Sequence, residues 1–410
     1  MQKIQVKPRL KITLTKPFCI LYNNTVDAKS KGKDLIMNKK EVLEIKKFFK
    51  PDAGIISRIC SCYVDGEKNI LFTSNDAYYN ISSEESFKYM DIFKHTMSGS
   101  IGKNLFNLTF PLSETMPKKQ EHLYSILTGK LEDEEKLKEF YQDIIDNYSY
   151  ASNYYIILIY GRYDVPGKAK DGEEIFDAST DVYDFILCSI CPVNLTKAAL
   201  GYDAKENAMR ELIRDWVVEP PVKGFLYPAF NDRATDIHSL LYFSKDAVNI
   251  DEAFIQGVFD IEKTPTDAKT QNTTFNEIIS DTLGNSGSLD MIKQIQDNFN
   301  EMVENAKINE EPLFMTRSTI SKIFERSGAD DETLESLNEV FTQKTAEADD
   351  VIMASNITSM KSLTIESPDL TIKVKPEHNN LVTTKVIDGR KYFLIPVSED
   401  VTVNGISIKE

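Results

Sequence analysis

The sequence predicts an α+β protein: a mixed-sheet domain with covering helices, then a small helical module, then a C-terminal segment rich in β-hairpins. Three observations carry this. Asn153–Arg162 and Tyr183–Val193 are apolar at nearly every position, as strands covered on both faces must be. Glu134–Tyr148 repeats Leu137, Phe140, Tyr141, Ile144, Ile145 and Tyr148 on one helical face, with charges and amides opposite, which suits a helix lying on a sheet. Near the C-terminus the period changes to two, with Leu370, Ile372 and Val374 alternating and the steps Asp388-Gly389 and Asn404-Gly405 suited to tight hairpins.

Taken in order, residues 1–36 alternate weakly at Leu10, Ile12 and Leu14 and pass into AKSKGKD, a strand and a tether expected to lie outside the core fold. At Met37 the character changes. Asn38 and Glu41 fit a capping box, and Met37 and Val42 a hydrophobic staple, so a helix and the core domain, residues 37–262, begin here. Strands follow at Ile55–Val64 and Asn69–Thr73, joined by Asp65-Gly66, with helices at Glu84–Thr96 and Gln120–Leu127. After the two apolar strands, a helix is expected over roughly Ala204–Val218. The Pro220-Pro221 break, a strand at Gly224–Phe230, a polar loop and a last strand at Ile237–Phe243 complete the domain. Hydrophobicity collapses over residues 263–275, marking a linker; a helical module is expected over 276–348 and the β-rich segment over 349–410.

The chain has 410 residues and a net charge of -16, a field that repels polyanions unless basic residues gather on one face. Nucleic acid is therefore disfavoured as a partner, and would need a basic patch such as Lys118, Lys119, Lys168 and Lys170, or the leading 36 residues with eight basic and two acidic side chains. Five cysteines without a disulfide-like spacing suggest a reducing compartment, and no apolar run is long enough to span a membrane, so a cytoplasmic protein is expected.

Asp232, Arg233, Asp236 and His238 bring two carboxylates and an imidazole within seven residues, enough to hold a divalent ion or activate water. The same stretch between two strands is ordinary turn chemistry, and that reading is preferred. Cys60, Cys62, Cys188 and Cys191 are enough in number for a tetrahedral zinc site, but residues three apart on a strand face opposite ways, so core packing is the better expectation. The loop Ser98–Asn104, SGSIGKN, lacks the spacing of a phosphate-binding loop and places Asn104 where a metal-binding hydroxyl would stand. No cofactor is expected.

The strings MNKKEV, RICSCYV, SGSIGKNL, YDVPGK, YDFILCSICPVNL, RDWVV, GFLYPAFNDRATDIHSLLYF, IDGRKYFLIPV and VNGISI together resemble a bacterial family of the domain-of-unknown-function type, DUF4317, from Met37 to the C-terminus. The resemblance implies no activity, cofactor or catalytic residue. The order of elements also looks like that of the 37-kDa nucleoid-associated proteins, without a residue-by-residue motif. The expectation is thus a cytoplasmic, non-enzymatic interaction protein that binds a protein partner or itself, with nucleoid association as one form. The alternative is a metal-assisted hydrolase using Asp232, Asp236 and His238.

Overall fold

A strand that is apolar at every position needs cover on both sides, and the computed structural model supplies it with helices on each face of one sheet. It describes residues 36–410 apart from 114, 169–173, 176–180, 212, 249, 285–286, 310–311, 346–351, 397–401, 404–405 and 408–410; these belong to a single unit. The expected extension, up to residue 35, lies outside the described residues.

Helix α1 (Lys39–Lys46) starts at Asn38, whose side chain accepts from the Lys40 and Glu41 N–H groups while Glu41 accepts from the Asn38 N–H, the capping box the sequence predicts. β1 (Ile56–Val64) turns at Asp65-Gly66 into β2 (Ile70–Ala77), followed by α2 (Ser83–Thr96), β3 (Leu105–Thr109), α3 (Lys118–Thr128) and α4 (Glu134–Asn147). Next come β4 (Asn153–Val165), the short pair β5 (Gly167–Lys168) and β6 (Glu174–Ile175), and β7 (Asp181–Leu195). A hairpin arm, β8 (Leu200–Asp203) and β9 (Ala208–Glu211), leads to β10 (Trp216–Val218), β11 (Lys223–Tyr227), β12 (Ala229–Asn231), β13 (Ala234–Asp236), β14 (Ser239–Ser244) and α5 (Glu252–Phe259).

The main sheet is antiparallel in the order β2-β1-β4-β7-β11-β14-β3, with β10 also paired to β7. Alternate residues of β4 serve opposite cores. Ile156, Leu158 and Tyr160 pack with Leu137, Phe140 and Ile144 of α4 and with α3 and α5, while Ile157 and Ile159 pack with α1 and α2 through Ile45 and Phe93. Each fully buried aliphatic side chain contributes about 1.5–3 kcal/mol, so this double burial is the main source of the domain's stability.

Several expectations change, the first being that the main sheet, expected to be mixed, pairs antiparallel at every join. The helix expected over 204–218 is instead the arm and β10: Tyr202 pairs with Met209, and Trp216, Val217 and Val218 pair with Leu195, Asn194 and Val193. The β-branched, aromatic composition of β10 and the free hydrogen-bonding groups of β7 outweigh the helical spacing. Pro220-Pro221 accordingly interrupts a strand position, since β10 and β11 both pair with β7 on either side of it.

Beyond the sheet, α6 (Ala268–Leu283), α7 (Leu289–Asn309), α8 (Arg317–Arg326) and α9 (Asp331–Thr345) share a core of Phe275, Ile278, Ile295, Phe299, Ile320, Phe324 and Leu337. Residues 268–275, expected within the linker, are the first half of α6, capped by Asp267. The chain then forms the hairpins β15 (Leu363–Ser367) with β16 (Leu370–Val374), β17 (Thr383–Ile387) with β18 (Arg390–Leu394), and β19 (Thr402–Val403) with β20 (Ile406–Ser407). Among the described residues no helix is long and apolar enough to cross a membrane.

Candidate functional site

Asp232 and Arg233 are the two central residues of the turn joining β12 to β13, with φ of 49° and 57°. Both lie in the left-handed region, as a two-residue turn between right-twisted strands requires. Consecutive N–H groups in such a turn converge, and an anion fits between them. Here that anion is the Glu41 carboxylate, which accepts from the Arg233 N–H at 3.2 Å and from the Asp232 N–H, as well as from the Asn38 N–H at 2.7 Å. One buried carboxyl, 4% exposed, therefore closes both the start of α1 and the turn. Burial pushes its pKa above the usual glutamate value even though the N–H donors pull it down.

The Arg233 guanidinium grips Glu44 at 2.9 Å and the Pro166 carbonyl at 3.2 Å, and Glu44 also accepts from the Tyr163 hydroxyl. Asp236 accepts from the Asn231 amide at 2.7 Å and the His238 N–H at 3.0 Å, and the His238 ring faces the Gln120 amide at 3.4 Å. Asp232 itself is exposed. The four side chains thus point to different neighbours along a hairpin, and among the described residues no group of three His, Cys, Asp or Glu side chains is placed to hold a metal ion.

The cysteines obey strand parity. Cys60, Cys62 and Cys188 lie in the core under α4, and Cys191 lies in the core on the opposite face. Burial pushes the Cys60 and Cys62 thiols up to about 12 and likewise raises those of Cys188 and Cys191, which makes all four poor nucleophiles. The glycine-rich loop has a packing role. Gly102, at φ +75°, lies under Met353, so close that a Cβ there would sit 1.7 Å from the Met353 sulfur. Its carbonyl accepts from the Asn356 amide at 2.6 Å, and Asn356 and the Met353 N–H both reach Gln271 of α6. The loop is where the helical part of the chain is fastened to the sheet part.

What is left open is the rim of the sheet at β2. This strand ends the sheet, and its outer side faces a cleft of about 680 Å³ walled by Ile70–Asn75 on one side and by Glu134, Leu137, Lys138 and Tyr141 of α4 on the other. Leu71 and Phe72 are 55% and 52% exposed. On the opposite sheet face, Phe72, Tyr63, Tyr155, Val193, Val218 and the half-exposed Trp216 line an apolar hollow of about 300 Å³. Sequence reasoning missed this rim. Its one local signal is the Ile-Leu-Phe run of β2, apolar on both faces of a strand otherwise followed by polar residues.

A family model, that of a domain of unknown function named DUF4317, matches residues 37–406. The chain belongs to the DUF4317 family. No curated protein matches it. The DUF4317 match takes in the sheet, the Asp232-Arg233 turn, the glycine-rich loop, the β2 rim and the helical part. Of the lysines named as a possible basic patch, Lys119 is paired with Asp143 at 2.6 Å, and the side chain of Lys168 and all of Lys170 lie outside the described residues.

Proposed function

We propose that this DUF4317 protein works by binding a protein partner at the β2 rim, rather than by catalysis. One observation carries the reading: Arg233, Asp236 and His238 are bonded to separate neighbours and Asp232 is exposed, so these side chains do not converge on one site, whereas the rim presents a strand edge, a cleft and an aromatic hollow side by side. The four buried cysteines without a disulfide support the reducing cytoplasm as its compartment.

Photo-reactive residues placed at Phe72, at Trp216 and, as a control, at the still more exposed Leu112 test this in cells. Adducts to the same polypeptide from Phe72 and Trp216 but not from Leu112 are expected. Absence of such adducts would refute the proposal. The hydrolase reading makes the opposite claim, that Asp232→Ala or His238→Ala abolishes function while the fold and the rim adducts persist.

A further inference from the structure

The two ends of the sheet differ in how they are closed. At β3, the Met37 N–H donates to the Asn107 side chain at 2.9 Å and the Asn107 amide donates back to the Met37 carbonyl, so neighbouring chain lies against that edge. β2 lacks a main-chain partner on its outer side: among the described residues no main-chain hydrogen bond outside its pairing with β1 reaches the residues of β2, and the Leu131 carbonyl meets it only through the Asn75 side-chain amide at 3.0 Å. Natural edge strands are usually guarded by lysine, proline or a central bulge. β2 has neither lysine nor proline, and its one irregularity lies at its start, opposite Tyr63 and Val64.

From these features we infer that β2 receives an extended segment of another protein as an added strand, the segment's main chain pairing with β2 and one row of its side chains entering the cleft beside α4. This rests on the partner-binding reading above and names the partner's chemistry. An open strand edge recognises a polypeptide backbone, and a neighbouring helix-walled cleft selects alternate side chains. The cleft wall and rim carry Glu134 and Asp76 against Lys138, with Arg58 already held by Glu132 and Asn75. On a chain of net charge -16, this favours a segment with alternating apolar and basic residues. The same charges disfavour a second copy, which would bring two acidic rims together.

The test uses the full-length protein and three fluorescent nine-residue peptides: alternating Val and Lys, the same peptide N-methylated at every second residue, and alternating Val and Glu. Binding of the first, weakened at least about tenfold in the other two, is expected. Neighbouring residues of a strand point their N–H groups alternately inward and outward, so one of Thr73→Pro and Ser74→Pro keeps the β1 ladder and blocks the outer edge. The variant that remains folded should lose the first peptide to the same degree. Equal binding of the N-methylated peptide, or no binding of any peptide at high micromolar concentration, overturns the inference. Sedimentation showing a dimer that the folded proline variant dissolves would also overturn it, in favour of a second copy. In all these cases rim adducts at Phe72 and Trp216 would leave the broader partner-binding reading standing; their absence would remove both.

Discussion

Replacing Gly102 by alanine should destabilise the protein by about 2–5 kcal/mol. Two contributions add. An alanine forced to a φ of +75° costs roughly 1–2 kcal/mol in backbone strain. Its methyl group would stand 1.7 Å from the sulfur and 2.9 Å from the Cγ of Met353, and overpacking of this kind costs about 1–3 kcal/mol even when a flexible methionine gives way. Equilibrium urea unfolding measures the loss directly. The contact also predicts coupling: Met353→Ala alone should cost about 2–5 kcal/mol, while the double variant should be less destabilised than the sum by about 1–3 kcal/mol, because the clash is then absent. If Gly102→Ala lies within about 0.5 kcal/mol of the parent, or the two substitutions are additive, the loop is not the fastening point inferred for it. A loop that cradled phosphate would instead show the change as lost nucleotide affinity with little loss of stability.

Arg233→Ala should destabilise by about 1.5–3 kcal/mol in the same assay, since it leaves the half-buried Glu44 without its charged hydrogen-bond partner. Glu41 makes a pH prediction. Its native pKa lies above the unfolded value, so the folded protein binds the proton more tightly, and this group's contribution to stability falls as pH rises from about 4.5 through the raised pKa. Glu41→Gln should therefore flatten the stability profile in that interval, and an unchanged slope would contradict the burial argument. In a Cys19→Ser background, the four remaining thiols should resist Ellman's reagent at pH 8 until urea unfolds the sheet; rapid labelling of any of them in the native protein would count against their placement in the two cores.

The parts of the fold legible in the sequence are those where one physical requirement acts alone. β4 and β7 read as strands because cover on both faces leaves no polar position, and α4 reads as a helix because its charged face is exposed over a long stretch. The parity of Cys188 and Cys191 follows from strand geometry without further information. The hairpin arm and β10 were not legible: their apolar residues also fit a helix, and only pairing with β7 decides the matter. The meeting of Glu41 with Arg233, 192 positions apart, leaves no local trace. Nor does the openness of β2, because being at the edge is a property of strand order rather than of the strand itself.

The contact between Glu41 and the turn also bears on the order of events during synthesis. The carboxyl that caps the first helix has its remaining donors at Asp232 and Arg233, and β3, made early, takes its place in the sheet only against β14. A ribosome must therefore deliver more than half of the polypeptide before α1 and β3 find these neighbours. Until then the nascent chain carries apolar segments with no mate, which makes this a protein whose production should depend on chaperones far more than its finished stability would suggest.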